Sequence, residues 1–247
     1  MKTLLLYFFL LLLNLFPMPN GFLDEQLKFK RVRSAYDEKI AGIEAMLKEK
    51  NLPASDFKIV IVAFKDEEVL EIYAGKKNSA KLELLKTYEI CASSGELGPK
   101  RMQGDGQVPE GFYHINHFNP ASNFHLSLGI SYPNASDKIK TTAKDPGGAI
   151  YIHGSCVTIG CLPMTDDKIK EIYILAALAK NNGQNQIPVY IFPFRMDEKN
   201  FAGFSNKFAS DINLLKFWSN VKEGYDKFMK EKSILNYTID KKGNYCF

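Results

Sequence analysis

Hydrophobic and polar positions recur along the chain with two periods, and the changes of period divide it into elements. Apolar residues at helical spacing over 25–50 and 211–232 predict an amphipathic helix at each end of the folded region. A third helix is predicted over 165–182, with Thr165 or Asp166 as its N-cap. Runs rich in β-branched and aromatic residues predict strands over 57–64, 69–75, 84–95, 124–131, 147–154 and 187–194. The pattern therefore predicts an α+β fold, mostly β with flanking helices.

The first residues form an apolar run that is too short to be a typical membrane-spanning helix. Residues 4–16 are almost uniformly apolar, follow Lys2 and are ended by the sequence PMPNG. A spanning helix needs roughly 20 apolar residues. We therefore expect residues 1–21 to be a signal peptide or an N-terminal anchor, with the rest of the chain exported to the periplasm or cell envelope. This segment would be the chain's only contact with a membrane.

Charge and cysteine content narrow the function classes. The 32 basic and 28 acidic residues give a net charge of +4, and the basic residues are scattered, which argues against a nucleic-acid partner. Cysteines in exported proteins often pair. Here they are unevenly spread, and a pair between Cys91 and Cys246 is one alternative. A second alternative is an oxidised form in which Cys156 pairs with Cys161.

Residues 151–166, YIHGSCVTIGCLPMTD, concentrate chemically reactive side chains. One interpretation is plain packing of His153 and the cysteines, and a second is a zinc site built on the H-x2-C-x4-C spacing. A third is nucleophilic catalysis by a Cys–His pair. Gly160 before Cys161 allows a tight turn whose amides could receive an oxyanion, which favours Cys161 modestly over Cys156.

The same residues resemble the active-site signature of the L,D-transpeptidases with a YkuD-type catalytic domain. His153-Gly154 resembles the first part of that signature, and Thr158, Gly160 and Cys161 resemble the second. Further segments are similar to the YafK-like subgroup, namely 104–113, 118–134 and 217–228. Two positions depart from the usual pattern: Ile159 replaces a second histidine, and Pro163 replaces a common arginine.

The resemblance implies a β-sandwich-like catalytic domain over 55–232. It would be preceded by an N-terminal helix over 22–54 and followed by a C-terminal tail over 233–247. The implied enzyme is a peptidoglycan-remodelling transferase whose partners are peptide stems and which uses no metal or organic cofactor. It forms a thioester at the L-centre of diaminopimelate and transfers it to an amine, for 3→3 crosslinking or protein attachment. Hydrolysis of the same bond, by an L,D-endopeptidase or carboxypeptidase, is the first alternative, and a non-catalytic wall-binding module is the second.

The resemblance also implies roles for single residues. Cys161 is the nucleophile and His153 is its base, with the second ring nitrogen of the histidine held by the carbonyl of Gly154. The amides of Gly160 and Cys161 would stabilise the oxyanion. Substrate contacts are expected from the side chains of Thr158, Tyr132, Asn134 and His125. Asp105 is expected to shape a turn. An enzyme of this kind should also show one cysteine whose thiol has a depressed pKa.

Overall fold

The computed structural model describes residues 21–247, so the predicted signal peptide or anchor lies outside the described residues, apart from its last position. The helices are α1 (Phe22–Leu27), α2 (Lys30–Glu49), α3 (Ala135–Lys140), α4 (Asp166–Asn181), α5 (Glu198–Lys207) and α6 (Ile212–Glu231). The strands are β1 (Lys58–Phe64), β2 (Val69–Gly75), β3 (Glu83–Glu89), β4 (Gly111–Asn119), β5 (Ser127–Ile130), β6 (Tyr151–His153), β7 (Leu162–Pro163), β8 (Pro188–Phe192), β9 (Thr238–Ile239) and β10 (Tyr245–Cys246). Over residues 21–247, no helix combines the length and the apolar character that crossing a bilayer requires.

Eight strands form one curled sheet in the order β3-β2-β1-β8-β4-β5-β6-β7. β1 and β8 are parallel, as are β6 and β7, and the other neighbours are antiparallel. β4 pairs with β8 from Gly111 to His114 and with β5 from Ile115 onward, and its register with β5 shifts between Ile115 and His117. The predicted fold class, a β-sheet domain with flanking helices, is confirmed.

Both faces of the sheet are buried, which explains the nearly continuous apolar sequence of β1. Ile59 and Ile61 face a core shared with α2 and α4. Val60 and Val62 alternate with them and face a second core shared with α6 and the C-terminal segment. The sheet is therefore the middle of three layers.

α4 begins next to the residues that follow β7, so its N-terminus borders the reactive segment. The hydroxyl of Thr165 accepts a hydrogen bond from the amide of Lys168 at 3.2 Å, which confirms Thr165 as the N-cap. On its outer side α4 packs against α2, and Lys170 of α4 pairs with Glu38 of α2 at 2.6 Å.

Some elements differ from the prediction. The helix predicted over 25–50 is two helices, which are separated at Lys28 and Phe29. β3 ends at Glu89, so the prediction that Cys91 lies in a strand is wrong. α3 and α5 were not predicted, because they are short and depend on side-chain caps. The Asn134 and Asp197 side chains accept from the backbone amides three residues ahead.

Candidate active site

His153 is the last residue of β6, and Cys161 is the residue immediately before β7. β6 and β7 run parallel, with His153 opposite Pro163. Ile152 and Leu162, which also pair, belong to the buried core. The pairing of β6 with β7 therefore places the turn that carries Cys161 beside the strand that carries His153.

The imidazole of His153 is held in one tautomer. It is 2% exposed, and its Nδ1 lies 2.5 Å from the carbonyl oxygen of Gly154. A carbonyl only accepts, so Nδ1 carries the proton and Nε2 keeps a free lone pair. Burial lowers the pKa of His153, and the hydrogen bond to Gly154 opposes this only in part. At pH 7 the ring is a neutral base that can accept a proton at Nε2.

Cys161 is a free, partly exposed cysteine. Burial raises the pKa of its thiol, while the Tyr151 amide and the positive charge of Lys100 act in the opposite direction. The sulfur lies 3.9 Å from the carbonyl oxygen of Ala149. The resting form is therefore a thiol, and the expectation of a cysteine with a depressed pKa is wrong for this structure. Reaction requires a base that takes the proton as the sulfur attacks.

The turn before Cys161 depends on glycine and on one hydroxyl. Gly160 has a φ of 129°, and a Cβ there would lie 2.9 Å from the carbonyl oxygen of Gln107. The Thr158 hydroxyl accepts from the amides of Gly160 (3.2 Å) and Cys161 (2.8 Å). It also donates to the Cys161 carbonyl at 2.9 Å. Thr158 is thus an internal brace of the turn, and it occupies the two amides that the resemblance assigns to the oxyanion.

Gly154 permits a close approach of three segments. Its amide donates to Leu126 at 3.1 Å, and its carbonyl holds His153. A Cβ at this position would lie 2.6 Å from Oδ1 of Asp166 and 2.9 Å from the carbonyl oxygen of Phe124. Gly154 therefore supports the imidazole, and its amide is already bonded.

The structure pairs Cys91 with Cys156, with their Cα atoms 5.4 Å apart. The suggested pair between Cys91 and Cys246 is therefore corrected, and Cys246 is a free, exposed cysteine. The Cys91 amide also donates to the carbonyl of Pro163 at 3.0 Å. These bonds attach the segment after β3 to the turn that carries Cys161.

A cavity of about 220 Å³ opens beside the thiol. Cys161 and Leu162 line one side, and the segment from 92 to 97 lines the other. Three acidic residues lie on its border: Asp66, Glu68 and Glu96. The cavity is therefore suited to a substrate group that carries a positive charge.

The wall of this cavity is fixed by a buried lysine that sequence reasoning missed. The Lys65 ammonium contacts Oε1 of Glu110 at 2.9 Å, and the indole of Trp218 donates to Oε2 of the same carboxylate at 2.8 Å. The ammonium also contacts, at 2.8–3.0 Å, the backbone carbonyls of Glu96, Gly98 and Val108. The side chains of Lys65 and Glu110 are buried, so this ion pair anchors the wall from inside the protein.

Lys100 and Asp105 shape the glycine-rich loop beside the cysteine. The Asp105 carboxylate accepts from the Lys100 ammonium at 2.6 Å and from backbone amides of the same loop, those of Arg101, Met102 and Gln107. Asp105 therefore forms a turn, as expected. Lys100 was missed by sequence reasoning, although its position in a polar glycine-rich loop was a usable signal.

Phe124 covers His153, with the two ring centroids 4.7 Å apart. The segment that carries Phe124 is fastened to α2, because the Arg31 guanidinium donates to the carbonyls of Ser122 (2.6 Å) and His125. Neither residue was predicted to act at the site. No sequence pattern connects α2 with this segment, so Arg31 could not have been found.

Three of the expected substrate contacts do not line the cysteine cavity. Tyr132 is buried, and its hydroxyl donates to the carbonyl of Pro146 at 2.8 Å. Asn134 caps α3 and donates to the hydroxyl of Tyr245 at 2.9 Å. His125 lines a separate hollow beside α2. Their hydrogen bonds and burial give these residues roles in packing or in that hollow.

The zinc interpretation finds no ligand set within residues 21–247, where no group of three or more His, Cys, Asp or Glu side chains could hold a metal ion. One of the cysteines it needs, Cys156, is in the disulfide.

Comparisons with known proteins identify a family. The model of the L,D-transpeptidase catalytic domain, YkuD, matches residues 58–191. The chain is 39% identical over 172 residues to a protein of Escherichia coli (strain K12) named "Putative L,D-transpeptidase YafK". That alignment covers 69% of this chain and 66% of the relative's length.

Two solved structures are similar at lower identity. The helical cell shape determining protein Pgp2 from Campylobacter jejuni is 18% identical, with a TM-score of 0.45 over 74% of this chain and 73% of Pgp2. Bd1075 from Bdellovibrio bacteriovorus is 22% identical, with a TM-score of 0.41 over 72% of this chain and 67% of Bd1075. The family model spans more than half of the 247 residues. The chain therefore belongs to the YkuD family of L,D-transpeptidase catalytic domains.

Proposed function

We propose that this protein is an exported cysteine enzyme that remodels peptidoglycan through a thioester at the L-centre of diaminopimelate. One observation carries the proposal. Cys161 is a free thiol at the wall of a cavity and directly precedes the strand that pairs with the strand of His153, whose Nε2 is available as a base. Cys156, the other candidate nucleophile, is bonded to Cys91.

The first half of the reaction breaks an amide bond. As the sulfur of Cys161 bonds to the carbonyl carbon of the stem, Nε2 of His153 takes the thiol proton. The C–N bond then breaks, and the histidine returns the proton to the departing amine. A thioester remains on the cysteine.

The oxyanion of this step needs donors that the resting turn already uses. We propose that the substrate oxygen replaces the Thr158 hydroxyl as the acceptor for the amides of Gly160 and Cys161. The hydroxyl keeps both amides oriented until substrate arrives, and it must move away from them as the substrate oxygen takes its place.

The second half of the reaction resolves the thioester. Attack by an acceptor amine gives a 3→3 crosslink or a protein attachment, and attack by water gives hydrolysis. The acidic border formed by Asp66, Glu68 and Glu96 supports a diaminopimelate substrate, because that residue has a free ammonium group.

Mass spectrometry of digestion mixtures tests the proposal. The protein and its Cys161→Ala variant are incubated with diaminopimelate-containing tetrapeptide muropeptides and with 3→3 crosslinked dimers. New dimers formed only by the unchanged protein would support transfer, and shortened or separated stems would assign the hydrolytic alternative. If neither substrate changes, a wall-binding module becomes the better description. Cys246→Ala is the matched control and should keep full activity, because Cys246 is a free cysteine at the far end of the chain.

A further inference from the structure

A second, larger cleft lies on the other side of the loop that walls the cysteine cavity. Its volume is about 750 Å³. Leu97 lines both spaces, so a single residue of the loop separates them. The contacts of Lys65 with the carbonyls of Glu96 and Gly98 hold this wall in place.

The cleft is cationic. Four basic residues line it, and the one carboxylate among its lining residues is that of Asp211. That carboxylate is engaged, because it caps α6 by accepting from the amide of Leu214 at 2.9 Å. The basic residues are Arg101, Lys140, Lys216 and Lys242. The cleft therefore presents an excess of positive charge to a ligand.

Side-chain contacts hold the basic residues of the inner part of the cleft in place. The guanidinium of Arg101 lies 4.9 Å from the ring centroid of Phe217 and pairs with the buried Asp137 at 2.9 Å. The Lys140 ammonium contacts Oδ1 of Asn244 at 2.8 Å. Among the described residues, no carboxylate forms an ion pair with Lys140; burial and the charge of Arg101 lower its pKa, and the charge of Asp240 opposes this in part.

The outer part of the cleft is accessible. Lys216 and Lys242 are exposed, and neither forms an ion pair within residues 21–247. The apolar residues Leu97, Leu214 and Phe217 line the same cleft. A cationic border around apolar walls fits an anionic peptide better than a small inorganic anion.

We propose that this cleft binds the carboxylates of the same peptide stem whose diaminopimelate carbonyl lies at Cys161. The inference rests on the proposed function and names a recognition surface for it. Diaminopimelate-containing stems carry free carboxylates on glutamate and on diaminopimelate. Four residues of extended peptide span about 14 Å, and the two spaces share Leu97 as a lining residue.

The cleft also accounts for a departure in the sequence. Pro163 stands where the family commonly has an arginine after the cysteine. In this protein the cleft on the other side of the loop supplies the positive charge, and Arg101 is one of its basic residues. Its neighbour Lys100 lies close enough to Cys161 for its charge to affect the thiol, so the basic loop connects the two spaces.

Binding is measured in the full chain carrying Cys161→Ala, so that turnover does not consume the probe. The probe is a dye-labelled L-Ala–γ-D-Glu–diaminopimelate–D-Ala tetrapeptide, and the readout is fluorescence anisotropy at low and high salt. The test variant adds Lys216→Glu and Lys242→Glu. The control adds Lys77→Glu and Lys199→Glu, which change the net charge equally at exposed positions outside the cleft.

Charge reversal in the cleft should weaken binding about tenfold at low salt and reduce its salt dependence, while the control stays within about twofold. A probe with amidated carboxylates should bind the unreversed chain as weakly as the acidic probe binds the reversed one. Equal affinities for the reversed and control chains would overturn the inference. Turnover of unlabelled stems by the chain with Cys161 is assayed in parallel. Turnover without a cleft effect refutes only the cleft, and a cleft effect without turnover refutes only the catalytic proposal.

Discussion

Removal of the Cys91–Cys156 disulfide is expected to destabilise the protein by about 4 kcal/mol. The bond closes a loop between residues 65 positions apart. In the chain-entropy model the unfolded chain loses 2.1 + 1.5R ln n, which is about 14 cal/mol/K for this loop. At 25 °C that entropy corresponds to about 4 kcal/mol. Both cysteines should be replaced together by alanine, because a single replacement leaves a new free thiol beside Cys161.

Urea unfolding followed by circular dichroism measures the effect. With a slope of about 2 kcal/mol per molar urea, the midpoint of the double variant should fall by about 2 M. Cys246→Ala, which removes a free thiol, is the matched control and should leave the midpoint unchanged. Reduction of the unchanged protein with dithiothreitol should reproduce the fall.

Activity should respond differently from stability. His153 and Cys161 are held by the pairing of β6 with β7 and by the Thr158 hydroxyl, so most of the turnover at 25 °C without urea should survive in the double variant. Two results would refute the reasoning. One is an unchanged urea midpoint, and the other is four titratable thiols in the denatured, unreduced protein instead of two.

Three further predictions concern the residues around the thiol and the imidazole. Because burial keeps the pKa of His153 below 6.5, the ring is neutral at pH 7, and both turnover and the stability that this group contributes should be lost only as the pH falls below 6.5. In Phe124→Ala water reaches the ring, so the acid limb of the pH–rate profile should move to higher pH. An unchanged limb would contradict this. Gly160→Ala should destabilise the protein by about 1–3 kcal/mol in thermal melts, because its φ of 129° disfavours any side chain; a melt like that of the unchanged protein would be inconsistent with the turn. Thr158→Val should cost about 1–3 kcal/mol of stability and lower kcat, since two amides lose their acceptor. Thr158→Ser keeps the hydroxyl and should retain both the stability and the kcat of the unchanged protein. Equal behaviour of the two variants would show that the hydroxyl is not the brace.

The periodic parts of the fold could be predicted because burial alone dictates them. β1 and α4 are buried on all or most sides, so their apolar runs are long and bounded by turn residues or a cap. α3 and α5 have few or no buried residues, and their caps are single side chains that a period does not reveal. Short helices of this kind are set by local hydrogen bonds, which the hydrophobic pattern does not contain.

Some residues of the candidate site could be predicted from the sequence and others could not. Cys161 and His153 could be found because they stand in one continuous motif of the sequence. Arg31 and Lys65 contact backbone carbonyls 91 and 33 residues further along the chain, and such carbonyls carry no side-chain signature. The pairing of Cys91 with Cys156 was equally hidden, since four cysteines allow three pairings and spacing does not choose between them.

Arg31 contacts the segment that carries Phe124, and this contact affects how much of the chain a functional fragment needs. The part of the chain that matches the family model starts at residue 58, whereas Arg31 lies in α2, well before it. A protein shortened to the matching segment would keep Cys161 and His153 but lose the arginine that holds the segment carrying Phe124, whose ring covers the imidazole. The family match therefore covers less of the chain than the contacts around His153 do, and a shortened protein made for activity assays should retain α2.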